Sequence, residues 1–144
     1  MLKSKLPKKA IALMCASVLS ILSMVSVSAL DVIDTDKATG TLNTYRVSGD
    51  VTLFEGGATA QSYCSYSKAA RSVSVEYVYA QNGKISRYFQ SQASPSSNPI
   101  ASVTKKDKSC AALAGGGQHN IGFSGYSWKK VTRAGQDKLI TLRF

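Results

Sequence analysis

Two glutamates, Glu55 and Glu76, and a single histidine, His119, are the residues of this 144-residue sequence best suited to acid–base chemistry. A pair of carboxylates can hydrolyse a glycosidic bond, one as acid and the other as base or nucleophile. Glu76, however, lies in Ser72-Val-Ser-Val-Glu-Tyr-Val-Tyr79, an alternating stretch in which a cross-strand partner such as Arg87 accounts for it. "GFSGY", Gly122 to Tyr126, resembles a nucleophile elbow, but the elbow needs glycine two residues after the serine and Tyr126 stands there. His119 could be written into a triad with one of many serines, and a chain this rich in serine always permits that. It reads as a loop residue after three glycines. "AGGGQHN", Ala114 to Asn120, could cradle an anion through backbone N–H groups, yet it lacks the spacing and the Lys-Ser/Thr pair of a phosphate loop, and reads as a connector. Zinc needs three or four nitrogen or sulfur ligands, more than the chain offers. "DVIDTD", Asp31 to Asp36, clusters three carboxylates without the spacing or glycine of a calcium loop. The expectation is therefore a protein that is not an enzyme, with no catalytic residue, no metal and no cofactor.

Surface chemistry is better represented. "TKKDKSC" places Lys105, Lys106 and Lys108 beside Cys110, and "GYSWKKVTR" gathers Tyr126, Trp128, Lys129, Lys130 and Arg133. In a strand, Tyr126, Trp128 and Lys130 share a face. Aromatic rings beside cations suit sugar faces or anionic head groups, because apolar stacking and Coulomb attraction act together. The competing assignment puts Trp128 and Tyr126 in the core with their polar tips hydrogen-bonded, the commoner fate of a lone tryptophan in a small β domain.

The elements that position these residues begin with a segment of another kind. Lys3, Lys5, Lys8 and Lys9 form a basic head, Ala10 to Val27 carries no charge, and Val27-Ser28-Ala29 offers small residues for cleavage. This is the three-part pattern of a secretory signal, cut after Ala29. Removing it removes Cys15 and leaves Cys64 and Cys110, an even pair expected to form one disulfide in an oxidising compartment. The closed loop would span 47 residues and stabilise the fold by about 4 kcal/mol at most. The secreted chain would hold fourteen basic and eight acidic residues, a net charge of +6. That excess favours an anionic cell-wall polymer, a lipid head group or an acidic secreted protein as partner. Nucleic acid is a poor fit, for want of any recognition motif. Residues 30–40 are expected to fray, and residues 41–144 to form one domain with no transmembrane segment.

Within that domain, strand signals recur at short intervals. "TLNTYRV" and "DVTLFEGG" come first. Val73, Val75, Tyr77 and Tyr79 then share one face, and Ser72, Ser74 and Glu76 the other. Asn82-Gly83 predicts a two-residue hairpin to "ISRYFQSQ". It sets Tyr77 opposite Tyr88, Arg87 diagonal to Glu76, and Phe89 on the serine face, so either both faces are covered or a bulge shifts the register. "ASPSSNP" reads as a loop and "IASVTKK" as a strand. Cys110 to Gly117 reads as a tethered loop, "IGFSGYSWKKV" as a strand, and "KLITLRF" as a final docked strand. Seven or eight short strands make an all-β antiparallel sandwich, or a small open barrel.

"YCSYSKAARSVSVEYVYAQNGK", Tyr63 to Lys84, is similar to the opening sheet of the lactococcin-type β-sandwich bacteriocins, small secreted proteins of Gram-positive bacteria. "SGYSWKKVTRAGQDKLITLRF" resembles their closing strands, and the two together cover about a third of the chain. The chain departs from that family in its expected disulfide and its longer secreted region. The resemblance implies a β-sandwich and action on cell-wall precursors, and carries over no site residue. The expected function is binding at the cell envelope through a basic and aromatic surface. The alternatives are a bacteriocin-like antibacterial protein, or a secreted inhibitor or subunit of a larger assembly.

Overall fold

The computed structural model describes residues 32–94, 97–105 and 109–144. The expected signal segment with its cut after Ala29, Cys15, and two candidate lysines, Lys106 and Lys108, lie outside the described residues. Ile33 to Phe144 form one compact unit. It contains eight strands: β1 (Val32–Leu42), β2 (Tyr45–Phe54), β3 (Gly57–Cys64), β4 (Ala70–Gln81), β5 (Lys84–Ser94), β6 (Ile100–Thr104), β7 (Cys110–Phe123) and β8 (Tyr126–Gly135). They form two four-stranded antiparallel sheets, ordered β1-β2-β3-β6 and β5-β4-β7-β8. The fold is a β-sandwich.

Tight turns set the register. Asn82 and Gly83 both have positive φ, 52° and 73°, as a type I′ turn requires, and the hairpin pairs Tyr77 with Tyr88 as the sequence predicts. Ser124 (φ 47°) and Gly125 (φ 82°) join β7 to β8 in the same way. Between the sheets lie Val51, Leu53, Ala58 and Ala60 from one layer and Val73, Val75, Tyr77 and Tyr79 from the other. Each fully buried valine or leucine here contributes about 1.5–3 kcal/mol relative to exposure.

Several expectations are corrected. The segment expected to fray is strand β1. Its acidic residues cap the outer edge of β8 across the sandwich: the Gly135 N–H donates to Asp34 Oδ2 (2.7 Å) and the Arg133 N–H to Asp36 Oδ2 (2.8 Å). The tethered loop is the first half of β7, a central strand, and Gly115, Gly116 and Gly117 are buried in it. Each glycine is there for want of room. A Cβ on Gly115 would lie 3.1 Å from the Cβ of Ala58, one on Gly116 2.5 Å from Ile140, and one on Gly117 2.7 Å from the ring of His119.

The final segment is docked, but not as a strand. After a short 3-10 turn at Asp137–Leu139, it crosses the outer face of the second sheet, where Ile140 packs on Val78 and Ala114. That cover resolves the two-faced hairpin. Around Glu76 and Val78 the outer face of β4 is buried because the final segment lies on it.

No disulfide links Cys64 and Cys110, and both thiols are free and buried. The physical reason is distance. Cys64 packs at the Arg71 end of β4 and Cys110 pairs with Gln81 at the other end. Ten residues of strand separate these points by about 30 Å, whereas a disulfide needs Cα atoms within about 7 Å.

Candidate functional site

At the end of the sandwich where β4 begins, three connections meet. Tyr45 opens β2 after the β1–β2 turn, Tyr66 stands in the β3–β4 loop, and Phe123 and Tyr126 flank the β7–β8 turn. Their rings form one cluster. Tyr45 stacks on Tyr66 at 4.6 Å, Phe123 packs against both at 5.5 and 4.8 Å, and Tyr126 leans on Phe123 at 5.8 Å. Such contacts add about 0.5–1.5 kcal/mol each beyond area burial.

The loop that carries Tyr66 is held from below. Arg71 is buried, and its guanidinium donates to the carbonyls of Cys64 (2.9 Å), Tyr66 (2.6 Å) and Ala69 (2.8 Å). Among the described residues no carboxylate pairs with it, and backbone carbonyls solvate the charge. A second clasp ties the loop to β2: the Arg46 N–H donates to Ser65 Oγ, and the Ser65 N–H donates to the Arg46 carbonyl, both at 2.9 Å.

Above these supports the surface is aromatic and cationic. Tyr126 is 47% exposed, and the Arg46 and Lys68 side chains, next to Tyr45 and near Tyr66 in sequence, are exposed. Open grooves lie on either side. One, of about 440 Å³, runs past Ser72, Asn120, Phe123 and Tyr126. The other, of about 320 Å³, is lined by Lys37, Arg46, Ser48 and Tyr63.

The candidate residues do not all gather here. Tyr126, Lys129 and Lys130 are exposed on β8, and the Lys129 ammonium lies 5.7 Å from the centre of the Phe144 ring. Trp128 is a core residue, 9% exposed, in a cluster with Leu42, Val47, Cys64, Ala69 and Ile121. Gly40 makes room for it, since a Cβ there would sit 2.8 Å from the indole nitrogen. Lys105 is at the opposite end of the sandwich. It donates to Tyr88 Oη (3.1 Å) and lies 5.5 and 5.0 Å from the Tyr79 and Tyr88 ring centres. Sequence reasoning missed Tyr45, Arg46, Tyr66, Lys68 and Phe123. The available signal was a tyrosine with a cation one or two residues on, each beside a turn.

Two of the three residues with acid–base potential, Glu76 and His119, are held inside the scaffold. Glu55 lies exposed in the β2–β3 turn, and Glu76 is fully buried beneath the C-terminal segment. His119 is fully buried between the sheets. Ser62 Oγ donates to the Ser72 carbonyl (2.9 Å), so it accepts from His119 Nδ1–H (3.1 Å), and Thr132 Oγ1–H donates to Nε2 (2.8 Å). The ring is thus a satisfied neutral imidazole. Burial holds its pKa down at about 4, only partly offset by Asp36 and the Gln61 carbonyl.

This burial makes stability depend on pH. A histidine neutral in the fold, with an ordinary 6.5 when unfolded, contributes stability that is complete above pH 6.5. About 3 kcal/mol of it is lost as pH falls through 4. Asp50 has the opposite sign. Burial, opposed by Lys37, raises its pKa from 3.8 to about 6, so a penalty absent below pH 3.8 grows to about 3 kcal/mol as pH rises through 6. The two slopes offset one another between pH 4 and 6. Asp50→Asn removes one of them, and its melting temperature should fall more steeply than the parent's from pH 7 to pH 4. Parallel declines would show that the Asp50 carboxylate is well solvated in the fold.

No family model matches the chain, and neither a curated protein nor a solved structure matches it.

Proposed function

We propose that the protein is a secreted, non-enzymatic β-sandwich that binds an anionic polymer or head group of the cell envelope through its aromatic and cationic end. The observation that carries this reading is the four-ring cluster with Tyr126 half exposed, in which Tyr45 and Tyr66 are followed in sequence by the exposed Arg46 and Lys68. The cluster presents ring faces for apolar stacking, and the cations attract phosphate or carboxylate. The buried Arg71 and the Ser65–Arg46 clasp hold that surface before any ligand arrives, which lowers the entropic cost of binding.

The test is sedimentation of purified protein with intact Gram-positive cells, and in parallel with anionic lipid vesicles, at low and high salt. Sedimentation that weakens as salt screens charges beyond about 8–10 Å is expected. Arg46→Ser with Lys68→Ser should reduce the salt-sensitive part, and Tyr126→Ala should weaken binding about tenfold. Protein that stays in the supernatant with both cells and vesicles overturns the reading. Killing of related cells by the bound protein would select the antibacterial alternative, which the sandwich architecture suits equally.

A further inference from the structure

The four strand edges of the sandwich are not treated alike. The outer edge of β8 is capped by Asp34 and Asp36, and β6 is only five residues long. β1 is as long as β5 but carries a single large exposed apolar side chain, Ile33, so β5 is the apolar edge without such protection. It runs for eleven residues in unbroken register with β4, with no bulge and no proline. Nearly all of it is exposed, and it carries Ile85, Tyr88 and Phe89, three of the large apolar side chains exposed in the described chain. Long, flat, apolar edges are templates for another strand, and proteins that stay monomeric blunt them.

The hairpin geometry says which backbone groups β5 offers. The residues flanking a two-residue turn, Gln81 and Lys84, form a hydrogen-bonded pair, so Lys84, Ser86, Tyr88, Gln90 and Gln92 direct N–H and C=O toward β4. Ile85, Arg87, Phe89, Ser91 and Ala93 direct theirs outward.

We propose that β5 is a homodimer interface, pairing antiparallel with β5 of a second copy about a two-fold axis at Phe89. This pairing maps the outward set onto itself: Phe89 meets Phe89 of the second copy, Arg87 meets Ser91, and Ile85 meets Ala93. On the other face Tyr88 meets Gln90 and Ser86 meets Gln92. No like charges face each other, and Arg87 is already neutralised by Glu76 at 3.1 Å. An axis at Arg87 would oppose two arginines, one at Tyr88 would bring together the two Lys105 ammonium groups held on the Tyr88 hydroxyls, and one at Gln90 or Ser91 would carry Ile85 past the end of the ladder. The second copy is therefore the occupant that charge and hydrogen-bond complementarity select, and the product is a continuous eight-stranded sheet.

The test is light scattering of the purified protein across a concentration series. About a doubling of mass is expected as concentration rises, as for a reversible symmetric dimer. Phe89→Lys and Phe89→Glu should each be monomeric with little change in melting temperature, because residue 89 is exposed in the protomer. Mixing those two variants should restore the dimer, since only an axis at residue 89 sets lysine against glutamate. Phe89→Cys should cross-link under oxidation, with Cα atoms about 5.5 Å apart across the axis, and Ile85→Cys should not. A parent that stays monomeric at every concentration overturns the proposal and leaves the edge to a strand of another protein. So does a dimer that survives Phe89→Lys, which would place the interface elsewhere.

Discussion

Glu76→Ala should lower the melting temperature by about 15 °C and release the C-terminal segment, a loss of about 3–4 kcal/mol. One buried carboxylate receives the Thr141 N–H and Thr141 hydroxyl, both at 2.8 Å, the Leu142 N–H at 3.2 Å, and an Arg87 guanidinium N–H at 3.1 Å. Arg87 also donates to the Leu139 carbonyl, so the arginine and the glutamate together grip the segment at several points. Bonds to a charged acceptor are worth about 1.5–3 kcal/mol each in isolation. The sum is smaller here, because the released amides and the half-exposed Arg87 find water. Glu76→Gln keeps one acceptor but turns an amide N–H₂ toward donors, and should fall between the parent and the alanine variant. Hydrogen exchange gives the decisive reading. The Thr141 and Leu142 amides should lose protection in Glu76→Ala while the amides of β4 and β7 largely keep theirs. A variant that melts like the parent, with its terminus still protected, would show that the packing of Ile140 and the bonds from Gln118 and Arg133 to the Arg143 and Leu142 carbonyls hold the segment without Glu76.

That anchor was half legible in the sequence. Asn82-Gly83 announces its turn through local chemistry, and a two-residue turn fixes every pair along the hairpin, so Tyr77 against Tyr88 and Arg87 near Glu76 follow without knowledge of the rest of the fold. The features that escaped are those whose cause lies far along the chain. The three glycines have a flexible composition, and only the neighbours that would strike a Cβ (Ala58, Ile140, His119) show why β7 must have them. "DVIDTD" looks like a frayed tail because its hydrogen-bond donors lie about a hundred residues away in β8. An even number of cysteines carries parity but no distance. The sequence did pose the question of Trp128 correctly, as core or surface, and the answer turned on Gly40. The aromatic end went unread because it is assembled from three connections, none of which is remarkable in composition by itself.

One of the closest approaches among the described residues, Gly49 against His119, yields the other large effect. Gly49→Ala should destabilise the fold by about 3 kcal/mol, more than overpacking by one methyl often costs. The added Cβ would overlap Cγ of the His119 ring. The ring cannot step aside cheaply, since Ser62 and Thr132 hold its two nitrogens and the backbone of Gly117 closes in on Nε2. Moving it breaks buried hydrogen bonds, each costing about 1–3 kcal/mol when a partner is left unsatisfied. His119→Ala should also destabilise, by leaving a cavity and taking one partner from each hydroxyl, although Ser62 keeps the Ser72 carbonyl and Thr132 the Gly117 carbonyl. The informative protein is the double variant. Without the ring, the methyl at position 49 has space, and the backbone there does not require positive φ. Gly49→Ala should then be neutral or slightly stabilising, by up to about 0.5–1 kcal/mol, because alanine loses less entropy on folding than glycine does. The coupling between the two sites would be about 3 kcal/mol, at the upper end for residues in direct contact. If the two losses instead add, the resistance at position 49 belongs to the β2 backbone, and the imidazole is a passenger in a cavity that β2 would keep open without it.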